Sequence, residues 1–335
     1  MFGGAIDQGL NVLLETRDLA KSLAVFEKAF RFGQINYKEE YLPTSPKVSY
    51  SDKDLEKDLI SFEGWKELNR FAMELGYDRS MSSEEVLKEI LSEKKRVGYD
   101  SLSLKDRQYF NLACWLSLFT KGQVILRDYE KQVLPKIKQV ISIQEPIDLD
   151  NGHGDSITGI IDLVAVWEDG NTYVLDNKTS AIQYEKDSAL RSQQLILYYH
   201  AKKHEYNLKG VGYIVASKRL NMNKTKACSK CGHDGTGTRF KTCNNELNGR
   251  CGGEWIEKLS PETEFQVILD EVNPFAEDLI IQTFDEANTG ISNGFYPPNL
   301  QACMAYNRPC PYMELCYKGK NANLETVVID KPTKV

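Results

Sequence analysis

Two short apolar stretches joined by a tight polar turn constrain this chain more than any other feature. Residues 157–167 and 172–176 are rich in β-branched and aromatic side chains, and the segment between them contains Asp169 followed by Gly170. An Asp-Gly turn between two such stretches is a strong signal for a β-hairpin. We therefore predict two antiparallel strands near the middle of the sequence.

Three charged residues lie on this hairpin. Asp162 falls within the first strand, and Asp176 and Lys178 come at the end of the second. Because side chains alternate between the two faces of a strand, Asp176 and Lys178 point to the same side, where Asp162 can join them. Two carboxylates and a lysine suit a hard divalent cation and a phosphodiester substrate. The alternative is that these are ordinary solvated residues at a hairpin end.

Further polar residues flank the hairpin. Glu145 follows the β-like run 140–143 and supplies a third carboxylate upstream. Downstream, residues 191–198 predict a helix in which Gln194 and Tyr198 lie one turn apart on one face. The chain therefore carries acidic, basic and polar residues in the order E…GxxD…DxK…QxxxY.

This order resembles the PD-(D/E)XK nuclease superfamily, specifically its RecB-like branch with the CRISPR-associated and phage exonucleases. The resemblance covers residues 2–316 and implies an α/β fold, in which helices flank a central mixed sheet with a restriction-endonuclease-like core. It also implies a Mg²⁺- or Mn²⁺-dependent DNA nuclease, of the exonuclease kind, acting in recombination, repair or phage replication. The catalytic positions that it assigns are Asp162, Asp176, Lys178, Glu145, Gln194 and Tyr198, of which Asp162 and Asp176 hold metal.

The N-terminal segment 2–10 resembles the first helix motif of that family. Asp7 stands where the family usually has a metal-binding histidine. An aspartate can supply an oxygen ligand to Mg²⁺ or Mn²⁺, so we include Asp7 among the metal residues. It could equally be an ordinary polar residue on an amphipathic helix.

Four cysteines form a second pattern: Cys228, Cys231, Cys243 and Cys251. The first two, spaced CxxC and followed by glycine, are typical of a zinc knuckle, and four thiolates complete a tetrahedral structural site. The second pair is more widely spaced than usual, His233 is an alternative ligand, and a disulfide is the rival interpretation. We predict a zinc ribbon inserted after the β-like segment 212–216.

Three cysteines near the C-terminus resemble the iron–sulfur staple of RecB-like nucleases: Cys303, Cys310 and Cys316. In the family a fourth cysteine from far upstream completes a 4Fe-4S cluster. The remaining cysteine of this chain, Cys114, lies in an apolar helical pattern and is expected to be buried. We favour a cluster here, while a zinc ion or no metal at all stays open.

The net charge of −6 disfavours bulk attraction to nucleic acid, so DNA binding must come from local patches. One candidate patch surrounds the cysteines, although its members could merely keep an exposed insertion soluble. It comprises Lys218, Arg219, Lys224, Lys226, Lys230, Arg239 and Lys241.

The domain organisation follows from these motifs. We predict an N-terminal helical region at residues 1–140, a nuclease core at 141–220 and a zinc ribbon at 221–257. The rest of the core with the cysteine cluster follows at 258–320, and a tail at 321–335. Helical composition extends over 10–33, 82–98, 106–136 and 275–287, and Ser82 to Glu85 give the second of these segments a capping-box start. Without a membrane-spanning run or secretory signal, we expect a cytoplasmic protein of a bacterial or phage-infected cell.

Two other functional classes stay open. The chain could be a catalytically silent DNA-binding module built on a nuclease fold, or a scaffold in a recombination or replication complex. It has no GxxxxGK[ST] phosphate loop, so any unwinding would come from a partner helicase.

Overall fold

The computed structural model describes residues 2–30, 64–78, 80–150, 156–233, 235, 238–239, 241–243 and 251–293. The chain divides into two compact units, Met1–Leu149 with Ser156–Ile280, and Asp150–Asp155 with Ile281–Val335. The sites described below all belong to the first unit.

The N-terminal region is helical. Its described α-helices are α1 Phe2–Thr16, α2 Leu19–Ala29, α3 Gly64–Glu74, α4 Ser83–Val97 and α5 Leu104–Gln132. The stretch 10–33 lacks obvious helix breakers, yet Arg17 adopts a φ of 52° and ends the helical path of α1. Asp18 then starts α2, because its side chain accepts a hydrogen bond from the Lys21 backbone N–H (3.1 Å). The capping-box start expected for α4 is confirmed at Ser82 and Glu85.

A mixed five-stranded sheet follows, with the strand order β1-β2-β3-β4-β7. The β2–β3 pair is antiparallel, β3 and β4 are parallel, and β4 pairs antiparallel with β7. This architecture confirms the predicted α/β class with a central mixed sheet flanked by helices. The bounds are β1 Ile137–Asp150, β2 Ser156–Trp167, β3 Thr172–Ser180, β4 Leu208–Ser217 and β7 Phe265–Glu271.

Helices cover both faces of this sheet. Leu163 and Leu175 lie on one face, in a buried cluster with residues of α1 and α5. Val164 and Val174 lie on the other, in a cluster with residues of α6, which spans Gln193–Tyr206 and connects β3 to β4. The strand alternation therefore sends neighbouring residues into two separate cores, as the apolar hairpin sequence requires.

A separate two-stranded sheet lies in the chain between β4 and β7. It consists of β5 Asn221–Cys228 and β6 Trp255–Glu262, paired antiparallel from Asn221↔Glu262 to Cys228↔Trp255. Two cysteines, Cys228 and Cys251, flank the far end of this pair. Since β4 and β7 are themselves antiparallel neighbours, the chain leaves the main sheet at the end of β4 and returns to it at the start of β7.

The last described helix, α7, spans Pro274–Ser292. Its Glu277 forms ion pairs with His200 and Lys203 of α6. Within the described ranges, no helix combines the length and the hydropathy that crossing a membrane would need.

Candidate active site and cysteine cluster

The centre of the candidate site is the end of β3, where Asp176 and Lys178 share one face of the strand. Lys178 Nζ donates a hydrogen bond to Asp176 Oδ1 (3.0 Å) and lies 2.7 Å from Oδ2. Asp176 is 4% exposed, whereas Lys178 is half-buried. The pair stands against β4, where Tyr213 is the register partner of Asp176.

Asp162 on β2 joins this pair across the hairpin. Its Oδ2 accepts a hydrogen bond from the Asn177 backbone N–H (3.3 Å), and its Oδ1 accepts one from Gln144 Nε2 (3.3 Å). Burial is the main cause of the raised pKa of Asp176, and the charge of Asp162 and a side-chain hydrogen bond to it add smaller contributions. The structure thus brings Asp162, Asp176 and Lys178 together at one point of the sheet.

The environment of Asp176 suits a cation ligand. Burial, and secondarily the repulsion from Asp162, raise the pKa of Asp176 to about 6, although Lys178 opposes the rise. Both carboxylate oxygens of Asp176 lie within 3.0 Å of the Lys178 ammonium, so this buried acid is ion-paired. A divalent cation beside it would further favour the ionised carboxylate.

Asp7 of α1 faces the same site. Burial first, and the nearby Asp162 second, raise the pKa of Asp7 to about 6, while Lys178 lowers it. Asp7 and Lys178 also line one narrow cleft, together with Tyr129 and Asn177. A third carboxylate therefore comes within electrostatic range of the Asp162 and Asp176 pair, from a helix that precedes the sheet by more than a hundred residues.

Lys178 keeps its positive charge in this setting. Burial alone would lower its pKa, but the hydrogen bond and the charge of Asp176, with a further contribution from Asp162, raise the pKa above the ordinary lysine value. At neutral pH the side chain is thus an ammonium group. It can neutralise an oxyanion or orient a phosphate, whereas it is a poor general base.

The raised pKa of Asp176 predicts how stability changes with pH when metal is removed by EDTA. The folded protein binds a proton at Asp176 more tightly than the unfolded chain does. This proton therefore contributes stability that is fully present below pH ~4 and is lost as the pH rises through about 6. The Asp176→Asn variant has no titratable carboxyl group at this position, so it does not lose this stability. We expect its free energy of unfolding to exceed the wild-type value by at most about 3 kcal/mol above pH 7, and by almost nothing at pH ~4.

Urea unfolding of both proteins from pH 4 to 8, in EDTA, measures this difference. Excess Mg²⁺ should reverse this difference in stability above pH 7. A ligand that binds only the folded state stabilises that state, and the wild-type carboxylate should bind Mg²⁺ better than the amide does. A difference that stays constant across the pH range would contradict the assigned burial of the charge.

Glu145 lies apart from this group in its described contacts. Its carboxylate accepts hydrogen bonds from Tyr206 Oη (2.9 and 3.1 Å) and pairs with Lys202 Nζ (2.5 Å), both on α6. The adjacent Gln144, whose φ is 50°, reaches Asp162 instead. The residue with positive φ thus contacts Asp162 through an amide, whereas the neighbouring carboxylate contacts α6.

Gln194 and Tyr198 meet on α6, one turn apart. Gln194 Nε2 donates a hydrogen bond to Tyr198 Oη (2.8 Å). The Tyr198 ring packs over Gly159, where an added Cβ would come within 2.7 Å of Cε1 and 3.0 Å of Oη. Gly159 and Asp162 are on the same strand, so this glycine lets α6 approach β2 next to the acidic group.

We expect Gly159→Ala to cost about 1–3 kcal/mol of stability, because the new methyl group overpacks against a buried ring. The same substitution in a Tyr198→Ala background should cost almost nothing, since the clash is gone. A double-mutant cycle by chemical denaturation measures the coupling between the two positions. Gly4→Ala is the matched control, with no atom within 4 Å of the added Cβ. Equal costs in both backgrounds would contradict this packing.

Sequence reasoning missed three residues around the charged pair. Gln144 carried no recognisable signal, since its role depends on its unusual backbone. Tyr213 follows from the parallel register with Asp176, which the apolar pattern of β4 does not fix. Tyr184 packs edge-on against Tyr213 (ring centroids 5.3 Å apart); burial raises its pKa, and the nearby Lys178 opposes the rise.

The four cysteines of the predicted ribbon converge. The sulfur atoms of Cys228, Cys231, Cys243 and Cys251 all lie within 4.8 Å of one another. Two of these pairs are Cys228–Cys251 at 3.5 Å and Cys231–Cys243 at 3.7 Å, far longer than a disulfide bond of about 2.05 Å. Such a group could hold a metal ion such as zinc.

The backbone around the cysteines supports thiolates. Desolvation raises the pKa of Cys228, but N–H groups of Cys231 and Lys230 donate to its sulfur and the net pKa falls to about 6. Gly232 and Gly252 adopt φ values of 69° and 59°, the left-handed turns of two knuckles. The backbone carbonyl of His233 accepts a hydrogen bond from the Cys228 N–H (2.9 Å).

The remaining predicted sites are distributed as follows. Cys303, Cys310 and Cys316 lie outside the described residues. Cys114 is buried in α5 (5% exposed), as expected of a small apolar side chain. The basic residues of the candidate DNA patch lie along the end of β4, the small sheet and the cysteine loops.

Comparison with known proteins leaves this geometry as the main guide to function. No protein-family model matches the chain, and no curated protein matches it either.

Proposed function

We propose that this protein is a divalent-metal-dependent DNA nuclease of the PD-(D/E)XK superfamily, RecB-like branch, with a restriction-endonuclease-like core. The observation that carries the proposal is the convergence of Asp162, Asp176 and Lys178 at the hairpin, where burial, with a smaller contribution from Asp162, raises the pKa of the ion-paired Asp176. Carboxylates held together against their repulsion, with one ammonium, match the needs of a cation and a phosphate.

The acidic residues would hold the metal. Asp162 and Asp176 would contribute oxygen ligands from two adjacent strands, and Asp7 would add a third from α1. When bound, Mg²⁺ or Mn²⁺ supplies Lewis-acid activation of the phosphodiester and of the attacking water. The raised pKa values of Asp7 and Asp176 mean that protons compete with the cation below pH ~6, so cleavage should rise with pH through that range.

The other polar residues would position the substrate, the nucleophile or the neighbouring helix α6. Lys178, kept as an ammonium by Asp176, can stabilise the charge that develops on the phosphoryl oxygens or orient the nucleophile. Gln194 and Tyr198 fix α6 over Gly159 and can contact the DNA backbone from there. Glu145 would act at a distance, by holding the C-terminal end of α6 on β1 through Lys202 and Tyr206.

The cysteine-rich module would be structural. Four thiolates close a zinc site and leave no position for substrate, so zinc would fold the ribbon and present its lysines and arginines to DNA. A reducing cytoplasm keeps such thiols available for metal. A 4Fe-4S cluster at the C-terminal cysteines and a helicase or recombination partner remain part of this proposal on the family resemblance alone.

The test is a cleavage assay with end-labelled single-stranded and double-stranded DNA. We expect degradation with Mg²⁺ or Mn²⁺ and none with EDTA. DNA binding without cleavage in either metal would instead support the catalytically silent alternative, and absence of both would support the scaffold alternative.

A further inference from the structure

Two tyrosines stand beside the ion pair of Asp176 and Lys178. Tyr213 is the register partner of Asp176 in the parallel β3–β4 pair, so the two side chains leave the same face of the sheet. The ring of Tyr184 packs edge-on against the ring of Tyr213, with centroids 5.3 Å apart. The register and the ring contact together bring Tyr184, from the loop between β3 and α6, to the ion pair.

Electrostatic interactions place the phenol of Tyr184 within range of the same charges. Burial is the main cause of the raised pKa of Tyr184, while Lys178 lowers this pKa, and Tyr213 and Asp176 raise it further. The side chain is half-buried, and its phenol keeps its proton at neutral pH. Tyr184 is therefore a neutral hydrogen-bond donor next to an ammonium and a carboxylate.

The backbone of Tyr184 is fixed by one side chain of the sheet. Gln266 of β7 accepts a hydrogen bond from the Tyr184 N–H and donates one to the Tyr184 carbonyl, both at 2.8 Å. In the described part of the chain, the hydrogen bonds of Tyr184 are all made by its backbone. Gln266 and the ring contact thus hold the phenol in place, and its hydroxyl can serve a ligand.

A neutral donor suits the chemistry of this site. In phosphoryl transfer, negative charge spreads over the non-bridging oxygens of the phosphate, and donors aimed at those oxygens stabilise it. Lys178 already contacts both carboxylate oxygens of Asp176. A further cationic side chain would repel a metal ion, whereas a phenol donates a hydrogen bond without adding positive charge.

We propose that the Tyr184 hydroxyl donates a hydrogen bond to a non-bridging oxygen of the phosphate that is cut, which makes Tyr184 a catalytic residue. Gln266 is the positioning residue that holds it, and Tyr213 supports its ring. The inference rests on the proposed nuclease function.

Steady-state cleavage of end-labelled DNA in Mn²⁺ tests the hydroxyl through Tyr184→Phe, which keeps the ring contact with Tyr213. We expect kcat/KM to fall about 10- to 100-fold, the range for one hydrogen bond to a charged group. Tyr173→Phe is the matched control, because the Tyr173 hydroxyl donates to Asp169 Oδ2 (2.8 Å) at the other end of β3. This control should cleave as wild type does.

Gln266→Ala tests the positioning role. It should lower kcat/KM by a similar factor in the wild-type background and by almost nothing in the Tyr184→Phe background, because both changes remove the same hydrogen bond to the phosphate. Urea unfolding should show that all the variants are folded. An equal loss in both backgrounds would overturn the assignment of Gln266, since a merely structural role does not depend on the Tyr184 hydroxyl.

Binding of thymidine 5′-monophosphate in Ca²⁺, measured by isothermal titration calorimetry, separates this inference from the nuclease proposal. We expect Tyr184→Phe to bind this nucleotide about three- to tenfold more weakly than wild type or Tyr173→Phe. A Tyr184→Phe variant with wild-type kcat/KM and wild-type affinity would overturn the inference and leave the nuclease proposal intact. Nucleotide binding that depends on Tyr184, in a wild-type protein that cleaves no DNA, would overturn the nuclease proposal and support the phosphate contact. Neither cleavage nor nucleotide binding by wild type would overturn both.

Discussion

Asp176→Asn should lower metal-dependent DNA cleavage by more than about 100-fold. Removal of a residue that only supports a metal ligand costs up to about 100-fold, and the loss of a ligand itself should cost more. Asp176 provides a buried carboxylate within electrostatic range of Asp162, and its amide replacement cannot ligate a cation as an anion does. Lys178→Ala should cause a comparable loss, because the ammonium beside Asp176 disappears. Initial rates on end-labelled DNA at saturating Mn²⁺ measure both effects.

A matched control separates this effect from a general effect of removing a buried charge. Asp270 of β7 is likewise buried (9% exposed), and burial raises its pKa. Asp270→Asn should therefore leave the cleavage rate close to wild type. Circular dichroism should show that all three variants are folded. Undiminished cleavage by Asp176→Asn or by Lys178→Ala would remove the assignment of this site.

The second large effect is expected at the cysteine cluster. Cys228→Ser should reduce zinc content from one ion per chain to nearly none, since Cys228 lies at the contact between both knuckles and Gly253 packs directly against its sulfur. Binding of a structural zinc ion contributes about 10–16 kcal/mol in small modules, so β5 and β6 should lose protection from hydrogen exchange. The main sheet should keep its protection, because β4 and β7 pair independently of the module.

Elemental analysis and hydrogen exchange measured by mass spectrometry give both readouts. Cys114→Ser is the control, because this buried cysteine of α5 lies in a separate apolar cluster and its loss should leave the zinc content unchanged. Full zinc occupancy in Cys228→Ser, or a wild-type protein that contains disulfides and no zinc, would contradict the assignment.

Much of the hairpin site could be predicted because its causes are local. The Asp-Gly turn fixes the register of β2 and β3, and strand alternation then places Lys178 beside Asp176. The same holds for the capping box at Ser82, where two hydrogen bonds within four residues determine the start of α4. Such features need only neighbouring residues and a regular backbone.

Other features depend on irregular backbone or on distant partners, which a sequence does not display. The contacts of Glu145 with α6 could not be predicted, because they depend on the irregular backbone at Gln144, whose φ is positive and whose side chain contacts Asp162. The interruption at Arg17 had no glycine or proline to mark it.

The most direct test of the central claim is the binding of Mn²⁺ to the zinc-loaded protein, measured by electron paramagnetic resonance at pH ~7.5. The acidic group of Asp7, Asp162 and Asp176 should bind at least one Mn²⁺ per chain, and the Asp162→Asn/Asp176→Asn double variant should lose that binding while it remains folded. Equal Mn²⁺ binding by the wild type and the double variant would show that these carboxylates do not form a cation site.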